Sequence, residues 1–148
     1  MRWILAAVML ASLGVAVRPL RADLKTAMAE TDLGKRSKLA LENAGAMLKS
    51  VREAYNAGER QKATDAAAEY VASVDLASES LKATGKNPRR SPKWFKQAEI
   101  ATRDLLKKLE TLQQDLSFDD RSMLDKAKAR TQEVHDELLL GLMEGKKK

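Results

Sequence analysis

From Leu41 to Gly141 the apolar positions recur every three or four residues, the spacing that lines one face of an α-helix. The pattern breaks into four stripes. The first takes Leu41, Ala44, Leu48, Val51 and Tyr55, is widened by Ala40, Met47 and Ala54, and starts from about Lys35. Asn56-Ala57-Gly58 ends it, with Gly58 suited to a left-handed C-cap. The second, from about Glu59 to Thr84, carries Ala63, Ala67, Tyr70, Val74, Ala77 and Leu81. Its small residues let neighbouring helices approach closely. Leu76 lies off this stripe and reads as a lone exposed leucine or, alternatively, as part of a partner contact. The third and most regular stripe is Phe95, Ala98, Thr102, Leu105, Leu109, Leu112 and Leu116. The fourth is Leu124, Ala127, Thr131, Val134, Leu138 and Gly141.

The segment 84–95 divides the chain into two hairpins. Gly85 caps the second helix, Pro88 follows, Ser91 reads as an N-cap and Pro92 as a first helical residue. Ser117 with Asp120 resembles a capping box for the last helix, with Asp in place of the usual Glu or Gln. Residues 23–34 stay ambiguous. Leu24, Ala27, Met28 and Leu33 suit a short helix, and Gly34 weakens its continuation. Four amphipathic helices of similar length with short loops predict one all-α domain over 23–148. The expected architecture is an antiparallel up-down four-helix bundle of two hairpins joined at residues 85–91.

Composition agrees with long helices rather than a sheet: 32% of residues are charged and 4% aromatic. The absence of cysteine excludes disulfides, thiolate metal sites and a lipidated N-terminal cysteine. Residues 1–22 have a different character. Arg2 precedes the apolar run Trp3-Ile4-Leu5-Ala6-Ala7-Val8-Met9-Leu10-Ala11 and then Ser12-Leu13-Gly14-Val15-Ala16-Val17. That order is the order of a secretory signal peptide. The run is shorter than the ~20 residues of a bilayer span, although a retained anchor stays the alternative. Cleavage after Ala16 has small residues at both required places, whereas cleavage after Ala22 puts Leu20 where a small side chain is preferred but gives a more usual leader length and leaves Asp23 to begin the mature chain. The expected location is outside the cytoplasm, periplasmic or extracellular.

The leader also changes the charge. The whole chain carries +6, but Arg2, Arg18 and Arg21 are the leader's only charges, so the remainder holds 24 basic and 21 acidic residues, a net of +3. Global charge therefore argues poorly for nucleic acid as a partner. The local pattern is sharper. Lys82, Lys86, Arg89, Arg90, Lys93 and Lys96 surround the central loop with no acid among them, and Trp94 stands beside them. In an up-down bundle this loop shares an end with Lys35, Arg36 and Lys38 and with the tail Lys146-Lys147-Lys148. The opposite end carries Glu59, Asp115, Asp119 and Asp120, with Arg60 and Arg121 interspersed. The molecule is thus expected to be basic at one end, a docking surface for an anionic protein or an anionic envelope or membrane component. Trp94 there suits a membrane interface or a cover for the bundle end. A solvated loop without a partner is the simpler reading of the same charges.

Catalytic chemistry has little to stand on. His135 is the single histidine, and Gln132 rather than Glu precedes it by three residues, which disfavours a di-iron carboxylate bundle. No Gly-rich phosphate loop and no paired-histidine metal spacing occur. Glu133, Asp136 and Glu137 read as a solvated face. No cofactor is expected. One remote alternative comes from cytochrome b562-type bundles, which hold a non-covalent haem between a methionine on the first helix and a histidine on the last. Met47 and His135 lie at similar heights, roughly 18 and 14 Å above the basic end at 1.5 Å per residue. The expectation that best fits the chain is an exported helical bundle that binds rather than catalyses. A peripheral membrane-associated bundle is the alternative. The oligomeric state is left open.

Overall fold

A computed structural model describes residues 23–144. The leader 1–22, its cleavage points and the tail Lys146-Lys147-Lys148 lie outside the described residues. The fold is all-helical: α1 Leu24–Ala29, α2 Leu33–Asn56, α3 Arg60–Ala83, α4 Lys93–Asp115, a 3-10 helix Phe118–Leu124 and α5 Asp125–Met143, with no strand among the described residues.

The four stripes form one core. Every position of the second and third stripes is buried, from Ala63 to Leu81 and from Phe95 to Leu116. Tyr55 and Gly141, at the ends of the first and fourth, are half-buried. Leu76 corrects the expectation of an exposed leucine, since it is half-buried and packs against the core. Polar groups inside the core are mostly bonded, as burial demands. The Tyr70 hydroxyl and Thr131 Oγ1 lie 2.6 Å apart, and Asn43 Nδ2 donates to Ser73 Oγ at 2.9 Å.

Cross-helix contacts show which ends meet. In the first hairpin α3 doubles back along α2, with Asn43 level with Ser73 and the Glu59 N–H bonded to the Ala54 carbonyl. In the second, α5 doubles back along α4, with Gln113 bonded to Asp125 and Thr102 to His135. Between hairpins, like meets like. Trp94 packs on Gly34, Leu105 faces Gly45 and Arg52 pairs with Asp115, so α2 and α4 run side by side in the same direction. Asp75–Arg130 and Lys82–Glu137 show the same for α3 and α5. A simple up-down circuit would set α3 squarely beside α4. Here those two scarcely touch, and the 84–92 connection crosses the end of the molecule diagonally.

The turns explain the boundaries. Gly58 (φ 74°) and Gly85 (φ 64°) hold the left-handed conformations that end α2 and α3. Two expected caps are absent. The side chain of Ser91 makes no cap bond to α4, whose start follows Pro92. Asp120 starts no α-helix: Ser117 Oγ donates to its carboxylate at 2.8 Å, and a 3-10 helix intervenes before α5. The ambiguous 23–34 segment resolves into α1, capped by Asp23, and the first turn of α2, capped by Asp32, each accepting a backbone N–H. Ala27 of α1 is fully buried, so this short helix belongs to the core.

Candidate functional site

The central loop is a set of local bonds rather than an open strap. Thr84 Oγ1 donates to the Leu81 carbonyl at 2.6 Å and accepts the Lys86 N–H at 3.2 Å. Asn87 Oδ1 accepts the Arg89 N–H at 2.9 Å, a turn that asparagine favours. The loop is then tied to both neighbours at its end of the molecule. Pro88 seats against Gly141 near the end of α5, and Trp94 seats against Gly34 at the start of α2. The start of α2, the central loop and the end of α5 therefore share one end, with Trp94 half-buried between α2 and α4.

Of the seven residues expected at this surface, Lys82 differs from the rest. Its ammonium pairs with Glu137 at 2.8 Å, so it ties α3 to α5 and is removed from any free cationic patch. Lys86, Arg89, Arg90, Lys93 and Lys96 are exposed and form no ion pair among the described residues. Lys93 lies 4.7 Å above the Trp94 ring, a cation–π contact that holds both side chains in place. Of the other basic residues at this end, Arg36 donates to the Glu30 carbonyl at 2.8 Å and Lys38 reaches Glu42 at 3.9 Å.

The end is less uniformly basic than its loop. Asp32 lies there too: the Lys35 N–H, and the charges of Lys35 and Lys86, hold its carboxyl below the usual range. This carboxylate was hidden in the stretch whose structure the sequence left ambiguous. At the opposite end the acids are largely paired: Arg60 with Asp120, Arg52 with Asp115 and Lys62 with Glu59. The lengthwise polarity therefore comes from uncompensated cations at one pole rather than from free acids at the other.

The histidine and the carboxylates of α5 have structural partners. His135 Nδ1 lies 3.1 Å from Thr102 Oγ1, and Nε2 lies 3.9 Å from Glu99. Met47 and His135 stand on α2 and α5, which face each other diagonally with no backbone approach within 8 Å, and neither residue lines the groove along Gly34 and Gly45 or the smaller one beside Pro88. Glu133 pairs with Arg130, Asp136 accepts from Gln132 and Glu137 holds Lys82. Among the described residues no group of three or more His, Cys, Asp or Glu is placed to hold a metal ion, and no helix is long and apolar enough to cross a membrane.

Two features escaped the sequence reading. Leu139, Leu140 and Met143 are exposed near the end of α5, outside the stripe that predicted its buried face. A groove of about 630 Å³ also opens between α2 and α4, running from Gly34 and Trp94 past Gly45 and Leu105. The signal for it was the set of small residues Gly34, Ser37 and Gly45 on one helix and Ala98 and Ala101 on the other. Their meaning depended on knowing that these two helices are neighbours. Compared with known proteins, the chain matches no family model, and no curated protein or solved structure matches it.

Proposed function

We propose that this chain is an exported binding protein, not an enzyme, that docks an anionic partner through the basic end of a four-helix bundle built from two antiparallel hairpins. Residues 1–22 act as the signal segment, and 23–148 work in the periplasm or outside the cell. The observation that carries the reading is the group Lys86, Arg89, Arg90, Lys93 and Lys96, exposed together with no ion pair among the described residues, Lys86 alone standing near a carboxylate, that of Asp32. Unpaired cations on a bonded loop and a helix start are a fixed charge pattern. Such a pattern steers an anionic partner and holds it at modest salt. Nucleic acid is not the intended ligand of an exported chain with so small a net charge.

A membrane surface is the second reading, favoured by Leu139, Leu140 and Met143, which are 40%, 54% and 72% exposed. His135 stands opposite Thr102, so the reversed register of α5 brings Leu139 level with Ala98 and Met143 level with Trp94, beside Lys96 and Lys93. Apolar side chains and free cations thus occupy the same end, the pairing that binds an anionic bilayer surface. Sedimentation with phosphatidylglycerol and with phosphatidylcholine vesicles, at low and at high salt, tests both readings. Salt-sensitive binding to the anionic vesicles, lost when Arg89, Arg90 and Lys93 are replaced together by Ala, is expected. Binding unchanged in that triple variant rules the loop out as the site. Failure on vesicles with retained capture of an acidic protein leaves the first reading and removes the second.

A further inference from the structure

The groove between α2 and α4 is a separate feature from the basic surface, and three observations on it converge. The first is its size. About 630 Å³ lies within the range of about 300–1,000 Å³ that holds one small molecule. Fourteen residues line it, fewer than the roughly 20–30 per side of a stable protein interface. The groove therefore suits a ligand rather than a macromolecule.

The second is Gly45. It lies in the middle of α2, where alanine is favoured over glycine by about 1 kcal/mol. Packing does not require the glycine, because a methyl group there would come no closer than 3.9 Å to Leu105. What the missing side chain does is leave the groove floor open. Gly34 differs: a Cβ there would overlap the Trp94 indole, so that glycine is needed for packing.

The third is Ser37. Ser37 is one of the residues lining the groove, and its hydroxyl is buried and makes no hydrogen bond among the described residues. A buried hydroxyl without a partner is unfavourable, and such atoms are uncommon in folded proteins. Ser37 lies one turn from Gly34, against which the Trp94 indole N–H packs. Lys38 stands at the same end of the groove. It meets Glu42 only at 3.9 Å, with both side chains more than half exposed, a pair too weak to withhold the ammonium. From there the groove runs over the apolar Leu41, Ala98, Ala101 and Leu105, with the exposed Gln97, Asp104 and Lys108 also lining it. Eleven residues separate Gly34 from Gly45, which is about 16 Å along the helix.

We infer that this groove binds a fatty acid, with its carboxylate at Ser37, Lys38 and the Trp94 indole N–H and its hydrocarbon chain along the floor to Gly45 and Leu105. The ligand supplies the acceptor that Ser37 lacks and an anion for Lys38. Its chain covers apolar surface that the two helices leave open to water. No covalent step is involved.

Calorimetric titration of the full chain with dodecanoate, kept below its micelle concentration, tests the assignment. One saturable site per chain is expected. Gly45→Leu and, separately, Ala101→Leu fill the floor, and each is expected to weaken binding about tenfold or more, ~1.4 kcal/mol. Gly45→Leu should do so without lowering the melting temperature, because it improves the helix. Ser37→Ala should weaken dodecanoate more than it weakens dodecanol. Absence of saturable binding overturns the inference. So does wild-type affinity in both filled variants, which would put any bound lipid elsewhere, including on the apolar leader. Dodecanol binding as tightly as dodecanoate overturns the carboxylate assignment.

Discussion

The Tyr55 hydroxyl joins the two hairpins by donating to Asp120 Oδ2 at 3.0 Å while it accepts the Ser117 N–H at 3.0 Å. Tyr55 closes the first stripe, and Asp120 lies in the 3-10 helix that precedes the last. Asp120 also accepts from Ser117 Oγ at 2.8 Å and pairs with Arg60, and its side chain is only 12% exposed. One carboxylate thus ties the turn of each hairpin to the other at the end away from the basic loop.

Tyr55→Phe keeps the ring and removes both bonds. It should destabilise the protein by about 1–2 kcal/mol, as expected for hydrogen bonds that include a charged acceptor. Urea denaturation of Tyr55→Phe, Asp120→Ala and the double variant should give a coupling energy of about 0.5 kcal/mol or more. Additive single effects would show that the two residues act separately.

Tyr70 sets an alkaline limit. Burial pushes its phenol above the ordinary tyrosine value, and the Thr131 hydroxyl offsets only part of that. The folded chain therefore holds a proton that the unfolded chain releases above pH ~10. Where the unfolded state binds fewer protons, stability falls as pH rises. The contribution is present in full below that pH and is lost progressively above it. A melting series from pH 8 to 11.5 should show a fall that is shallower in Tyr70→Phe. Equal slopes in the two proteins would contradict the burial of this phenol.

Gly34→Ala probes the seat of Trp94. The added methyl group has no room beneath the indole, so either the ring leaves or the two helices separate. Trp94 is the sole tryptophan once Trp3 is replaced by Phe. In that background Gly34→Ala should shift its emission to the red and lower the melting temperature. Gly45→Ala, on the same helix but over the groove, should raise the melting temperature, with about 1 kcal/mol of added stability. The two glycines on one helix are thus predicted to respond with opposite signs, and equal responses would refute the distinction between them.

Which residues were readable in advance depended on how local their cause was. The Leu105-Leu109-Leu112 seam and the glycine caps at 58 and 85 were visible because helical periodicity and left-handed backbone are properties of neighbouring residues. The caps at Ser91 and Ser117 misled because a short polar side chain has other acceptors and donors within reach, and Ser117 took Asp120. Among the candidate site residues, Arg89, Arg90 and Lys93 remained free cations, whereas Lys82 was claimed by Glu137, 55 positions away, a partner that no local pattern could name.

The sequence by itself determined the helices, their buried faces and the basic loop, because each follows from the order of residues within a few turns. Only the tertiary structure decided that α2 lies alongside α4 and α3 alongside α5, with the connection between hairpins crossing one end. A stripe of apolar residues requires burial but does not specify the surface that buries it. That choice is made by the shapes of all four seams together, and from it came the Trp94 seat on Gly34, the pairing of Lys82 and the groove along Ser37 and Gly45.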